Sequence, residues 1–127
     1  MNVLVDSSVW RDHFRRTNAA LVQLLTSDRV LTHPMVIVEL ACAAPSPPAR
    51  RARTFGELAL LNSVRPATLH EVHDFIEREQ LYGQGGGLVD FVLLCSALIT
   101  PNTALWTLDP RLRDWAVRFG ISHGPAH

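Results

Sequence analysis

The stretch NVLVDSSVW, residues 2–10, decides the fold class of this chain. Apolar residues that favour strands run into Asp6, two hydroxyl residues follow it, and a helical pattern begins at once. This order is typical of a parallel strand that is buried on both faces and ends at its carboxyl edge. Ligands of open α/β sheets bind just beyond such edges, so Asp6 lies where a functional site is expected. A simpler interpretation is also open, because Asp is a favoured residue at a helix N-cap.

The composition indicates a soluble protein with one packed core. The 127 residues predict a single domain over 1–127, and 47% hydrophobic residues suffice for its core. Cys42 and Cys95 lie within apolar runs, which predicts two buried free thiols in a reducing compartment. The N-terminus lacks a basic segment, and the most apolar run, 88–99, is too short for a membrane span. We therefore expect a cytoplasmic protein.

The charge is balanced but uneven in kind. The formal net charge is zero, and the 12 basic residues are all arginine. Neutrality argues against bulk, non-specific adhesion to nucleic acid. Arginine nevertheless suits bidentate contact with phosphate, so a local basic surface remains open.

Strands and helices alternate along the predicted chain. After the first strand, we predict strands over 29–32 and 104–108, with a turn or brief strand over 62–66 and an edge strand beginning at Ile121. We predict helices over 8–16, 18–26, 35–44, 49–61, 69–82, 88–99 and 110–119. This alternation predicts an α/β fold with a parallel sheet covered on both faces.

Four acidic residues stand out because each is a polar exception in an apolar setting. Asp6 and Asp109 end candidate strands, whereas Glu39 and Asp90 interrupt apolar helices. Each has an ordinary explanation on its own. Asp109 can cap the helix that begins at Pro110, Asp90 can answer a helix dipole, and Glu39 can face solvent.

Taken together, the four carboxylates predict a metal site. Parallel strands end at one edge, so Asp6 and Asp109 emerge together if their strands are neighbours. Carboxylates gathered there repel one another unless a cation neutralises them. Mg²⁺ takes oxygen ligands and keeps waters and substrate phosphates, and such a site serves metal-assisted attack on a phosphodiester.

Four short motifs resemble those of a known family. VLVDSSVW (3–10), VEL (38–40), GLVD (87–90) and LWTLD (105–109) occur in the order and approximate spacing of a PIN domain. More narrowly, essentially the whole chain resembles a bacterial VapC-type toxin. The resemblance implies a three-layer α/β/α sandwich with a central parallel sheet. It also implies Mg²⁺- or Mn²⁺-dependent cleavage of RNA by a metal-activated water, inhibition by a cognate VapB-type antitoxin, and a homodimer.

The resemblance also assigns site residues. It implies that the metal ligands, all of them catalytic, are Asp6, Glu39, Asp90 and Asp109. Ser8 and Thr107 match the hydroxyl positions of the family, where they would orient carboxylates or water. Two positions depart from the family pattern. Leu88 stands where relatives often have tryptophan, and Leu108 stands where many have a basic residue.

Candidate RNA contacts follow from arginine positions. Arg111 and Arg113 come soon after Asp109, so we predict that they contact phosphate. The cluster over 50–53 can track RNA, meet the antitoxin or form a solvated helix face. The glycine-rich segment 83–87 lacks the lysine of a phosphate-binding loop, which favours a mobile connection beside the site.

Other functions fit less well. A phosphoryl-accepting receiver domain uses a lysine near its site, and this chain contains none. A haloacid-dehalogenase-type phosphatase needs a second Asp at the position of Ser8. The serious alternative is a non-catalytic PIN-like module that binds protein or RNA. Crowded carboxylates without a cation would be costly, which favours a working metal site.

Overall fold

The computed structural model describes residues 1–43 and 47–124. Within them, strands and helices alternate as predicted, and most element ends lie one or two residues from the expected positions. The strands are β1 Asn2–Val5, β2 Val30–Thr32, β3 Asn62–Ser63 and β4 Thr103–Trp106. The helices are α1 Ser7–Arg15, α2 Ala19–Thr26, α3 Pro34–Ala41, α4 Pro48–Leu58, α5 Leu69–Arg78, α6 Leu88–Ile99 and α7 Pro110–Arg118. The edge strand predicted from Ile121 is reduced to one bridge between Leu105 and Ser122.

Helix α5 ends four residues earlier than predicted. Gln80 has a φ of 55°, and the amide of Leu81 donates to the carbonyl of Ile76. This is a Schellman ending, in which a left-handed residue turns the chain out of the helix. Glycine usually marks that position, so a glutamine gave no stop signal.

Two further helices are also shorter than predicted. The helix expected over 49–61 ends at Leu58, and the one expected over 35–44 ends at Ala41. Both helices finish in tighter turns, in which an amide bonds the carbonyl three residues back. Ala44 lies outside the described residues. No helix in the described segments is long and apolar enough to cross a membrane.

The carboxyl end of β1 lies where the strand order of the sheet reverses. The strand order is β3-β2-β1-β4, and every strand pair is parallel. The chain moves outward from β1 to β3 and then returns past β1 to form β4. The strand order therefore reverses between β1 and β4, and open α/β sheets bind ligands at such a reversal.

Helices cover the two faces of this sheet. Helix α1 packs on α3, whereas α6 packs on α5, on α7 and on β4. The three-layer α/β/α arrangement with a central parallel sheet is therefore confirmed. Val3, Leu4 and Val5 are fully buried, as the apolar first strand predicts.

The cysteine prediction is half wrong. Cys95 is buried in α6, where burial raises the pKa of its thiol. Cys42 is exposed, because α3 ends at Ala41 and Cys42 forms its C-cap. The apolar run that suggested burial extends past the end of the buried helix.

Candidate active site

Asp6 is a buried carboxylate held by hydroxyl groups. Its amide donates to the carbonyl of Trp106 at 2.9 Å, and the residue is only 6% exposed. Its Oδ2 accepts hydrogen bonds from Ser8 Oγ at 2.7 Å and Thr107 Oγ1 at 2.8 Å. Asp6 occupies the N-cap position of α1, yet its side chain makes no capping hydrogen bond. The simple N-cap interpretation of Asp6 is therefore wrong.

The two hydroxyls tie the chain after β4 to the chain after β1. Ser8 Oγ lies 3.3 Å from Thr107 Oγ1 and accepts from the amide of Leu108 at 3.0 Å. Thr107 Oγ1 accepts from the amide of Asp109, also at 3.0 Å. This network fixes the position of Asp109 relative to Asp6 across about 100 residues of sequence.

Asp109 is exposed and caps the last helix. Its Oδ1 accepts from the amides of Arg111 at 2.9 Å and Leu112 at 3.4 Å. The capping role considered for Asp109 is therefore confirmed. Within the described segments, no hydrogen bond engages its Oδ2, so that oxygen is free for a ligand.

Asp90 lies in the first turn of α6 and faces the other aspartates. Its Oδ2 accepts from the amide of Gly87 at 3.2 Å, which closes the first turn of the helix. Burial raises the pKa of Asp90, and the negative charges of Asp109 and Asp6 raise it further. Asp90 therefore lies within electrostatic reach of both Asp109 and Asp6.

Glu39 joins the site through a serine that the sequence analysis did not single out. Glu39 is half-buried on α3, and its Oε1 accepts from Ser7 Oγ at 2.8 Å. Ser7 and Ser8 therefore serve different carboxylates, the first Glu39 and the second Asp6. The hydroxyl pair directly after Asp6 was the available signal for this role.

Comparison with known proteins shows which family the chain belongs to. The family model of the PIN domain matches residues 3–117 of the chain. The chain belongs to the PIN domain family. Its relatives include Ribonuclease VapC32 of Mycobacterium tuberculosis strains CDC 1551 and H37Rv, each 38% identical over 120 residues. The match spans 94% of this chain and 94% of each relative, which confirms the predicted resemblance to VapC-type proteins.

The carboxylate oxygens of this PIN domain are the type of ligand that a hard cation prefers. The four predicted ligands are carboxylates, and none forms an ion pair with a basic side chain in residues 1–43 and 47–124. Across the same residues, no three acidic, histidine or cysteine side chains converge closely enough to hold one ion together. Mg²⁺ suits such a site, because it binds one or two carboxylates and keeps several waters.

The glycine-rich loop of the PIN domain is fastened to α7. Arg111 donates from its guanidinium to the carbonyl of Gly85 at 2.6 Å, and Arg113 donates to the carbonyl of Thr107 at 3.5 Å. A Cβ on Gly86 would overlap the packed rings of Phe91 and Trp115. Phosphate contact by Arg111 or Arg113 stays a prediction, and the bond to Gly85 occupies only one of the guanidinium nitrogens of Arg111.

Proposed function

We propose that this PIN domain is a metal-dependent endoribonuclease and the toxin of a type II toxin–antitoxin pair. One observation carries the proposal: a buried carboxylate, Asp6, lies at the reversal of strand order, and hydroxyl groups hold its side chain. The charge of Asp6 raises the pKa of Asp90, as does that of Asp109. The relatives named ribonuclease support RNA as the substrate class.

The proposed ligands are the four carboxylates of the site. Mg²⁺ or Mn²⁺ would lie among Asp6, Glu39, Asp90 and Asp109, with one or two of these carboxylates bound to it directly and the others reached through its waters. The ion would supply charge stabilisation to the scissile phosphate and lower the pKa of the attacking water. Ser8 and Thr107 orient Asp6 by donating to one of its oxygens, which leaves Oδ1 for the ion.

The proposed hydrolysis needs no covalent enzyme intermediate and no histidine base. His33 is the nearest candidate in sequence to Glu39, but it is the N-cap of α3. Its Nδ1 accepts from the amide of Met35 at 2.9 Å, and burial lowers the pKa of the ring. His33 is therefore committed to the helix end.

The deciding experiment measures cleavage of structured RNA with Mg²⁺, with Mn²⁺ and with chelator. We expect cleavage that requires metal and falls by about a hundredfold or more in Asp6→Asn and Asp90→Asn. Asp114→Asn is the matched control, because Asp114 is an exposed aspartate on α7. Cleavage at the wild-type rate in both site variants would refute the assignment.

The alternative function is a non-catalytic PIN-like module that binds protein or RNA. Calorimetric titration with Mn²⁺ separates the two, since a nuclease site binds the ion and loses it in Asp6→Asn. A module without a metal site shows no such difference between the wild type and the variant.

The proposed partners are a VapB-type antitoxin and a second copy of this chain. Expression of the toxin alone is expected to arrest growth, and co-expression of its antitoxin is expected to restore it. Light scattering on the purified chain tests the homodimer. Growth arrest that persists in Asp6→Asn would show that the toxicity does not come from RNA cleavage.

A further inference from the structure

A basic groove adjoins the carboxylate site. It has a volume of about 1010 Å³ and opens beside Ser8 and Leu108, which also belong to the hydroxyl network of the site. Its walls come from α1 and α4. Four arginines line it: Arg11, Arg15, Arg50 and Arg51.

The charge of this groove is not neutralised by acidic neighbours. Among the residues that the structure describes, no aspartate or glutamate lines it. In residues 1–43 and 47–124, the ion pairs involve residues 65–79, and none includes an arginine of the groove. Arg51 donates to the carbonyl of Ala41 at 3.0 Å, which orients the side chain but leaves its charge in place. A protein with zero net charge therefore presents concentrated positive charge beside its carboxylates.

Aromatic rings accompany the arginines. Phe14 lines the groove and remains 51% exposed, although its ring packs against Trp10 at a centroid distance of 5.9 Å. Phe55 also lines the groove, with the guanidinium of Arg51 lying 5.2 Å from the centre of its ring. A supported ring with an open face is the usual platform for stacking an unpaired base.

We propose that this groove binds a single-stranded segment of the RNA substrate and leads it to the carboxylates. Arg11, Arg15 and Arg50 contact its phosphates, and the ring of Phe14 stacks on a base near the cleavage site. The inference rests on the proposed ribonuclease function and adds the path of the strand. It assigns strand binding to arginines of α1 and α4, whereas Arg111 is hydrogen-bonded to the glycine-rich loop.

Charge and position favour RNA as the occupant. Four cations without a lining carboxylate match a polyanion, and guanidinium groups bind phosphate in bidentate fashion. The groove also shares Ser8 with the hydrogen-bond network of Asp6, so a strand lying in it would reach the site where cleavage is proposed.

The test measures binding of a fluorescein-labelled, single-stranded 12-nucleotide RNA by anisotropy, in chelator so that no cleavage occurs. The variants are Arg50→Gln and the double change Arg11→Gln with Arg15→Gln. The controls are Arg53→Gln and Arg16→Gln, which make the same charge change on or next to the same helices but outside the groove. Circular dichroism verifies that each variant is folded.

We expect the double variant to bind about tenfold more weakly and the controls to bind as the wild type does. The slope of log affinity against log salt should fall by about 1.4 in the double variant, since each single-strand phosphate contact contributes about 0.7. Phe14→Ala should weaken binding about tenfold through lost stacking, and Phe14→Tyr should restore it.

Equal RNA affinity in the groove variants and their controls would overturn the proposal. That result is the one expected if a protein partner, and not RNA, occupies the groove. Arg50→Gln changes one exposed side chain, so it still decides the matter should the double variant fail to fold. Because binding is measured without metal, the result is independent of the cleavage assay. Groove variants that lose binding while Asp6→Asn still cuts RNA would refute the catalytic site but not the groove.

Discussion

Asp6 and Asp109 occupy the same kind of position and do different things there. Each follows a strand and precedes a helix, and the two strands, β1 and β4, are neighbours in the sheet. Asp109 is exposed and uses Oδ1 to cap α7. Asp6 is buried and caps nothing, since its Oδ2 accepts from two hydroxyls.

The difference shows that an aspartate between a strand and a helix can either stabilise the helix or be held for another role. The capping contact of Asp109 stabilises its helix whether or not the residue binds a ligand. Asp6 makes no capping contact, and its charge repels that of Asp90. A buried carboxylate that hydroxyls hold beside other carboxylates has the properties of a functional group.

The largest expected effect is the loss of RNA cleavage on substitution of Asp6, and it tests whether Asp6 is held for function and not for stability. Asp6→Asn should lower RNA cleavage by about a hundredfold or more without lowering the free energy of unfolding, because it removes repulsive charge but keeps the shape. Urea unfolding, followed by circular dichroism, measures the second quantity. A variant that is clearly less stable than the wild type would contradict the view that Asp6 is held for function.

Thr107 sharpens the comparison because it contacts both aspartates. Its hydroxyl donates to Asp6 and accepts from the amide of Asp109. Thr107→Val should therefore reduce cleavage or metal affinity by about tenfold, the usual effect of removing a group that orients a ligand. Thr107→Ser retains the hydroxyl and should restore most of the activity. Titration with Mn²⁺ checks the affinity, and equal loss in the serine variant would mean that the methyl group matters instead.

Unlike substitution of Asp6, removal of the Asp109 carboxylate should lower the free energy of unfolding. Asp109→Ala removes the cap of α7 and should cost about 1 kcal/mol in the free energy of unfolding. Asp109→Asn keeps a capping oxygen and should lose much less stability, although both variants lose the charge that we propose binds the metal. Parallel urea unfolding curves distinguish the two, and equal stability of the alanine and asparagine variants would argue against the cap.

His33 extends the comparison to a third strand end and gives the smallest effect. It follows β2, caps α3 and is 5% exposed, and burial lowers the pKa of its ring from 6.5. Below about pH 6.5 the unfolded chain binds a proton that folded His33 resists, so the free energy of unfolding should fall as pH decreases. The slope for one group is at most about 1.4 kcal/mol per pH unit.

The control for this pH dependence is His33→Asn, which can still cap the helix. Urea unfolding at pH 7.5 and pH 5.5 should show a smaller difference for the variant than for the wild type. Some dependence should remain, because burial also lowers the pKa of His123. An unchanged difference in the variant would assign the effect to other groups.

The sequence predicted the architecture well where local patterns carry the information. The apolar residues of β1, the proline at the start of α7 and the apolar length of α6 all lie where they were expected. Helix endings were predicted less well. The left-handed residue that ends α5 is Gln80, and tertiary packing of Leu81 stabilises a turn that no glycine announced.

The sequence predicted the residue types of the candidate site and the common sheet edge of Asp6 and Asp109, but not the hydrogen bonds that hold them. The sequence predicted Asp6, Glu39, Asp90 and Asp109 as metal ligands, although Asp6 taken alone also suited a capping role. The sequence analysis did not single out Ser7, because its contact with Glu39 spans 32 residues. The exposure of Cys42 and the groove between α1 and α4 likewise depend on where distant segments meet.

By itself, the sequence determined the alternation of strands and helices, with Asp6 and Asp109 after strands and Glu39 and Asp90 within apolar helices. Hydrophobic period and capping preference act over a few residues, so they can be read locally. Only the tertiary structure decided that β1 lies between β2 and β4. This order brings the hydroxyl of Thr107 into hydrogen-bond contact with Asp6 and places Asp90 where the charges of Asp109 and Asp6 act on it. Burial and electrostatic coupling depend on distances between segments about 100 residues apart, and the folded sheet fixes those distances.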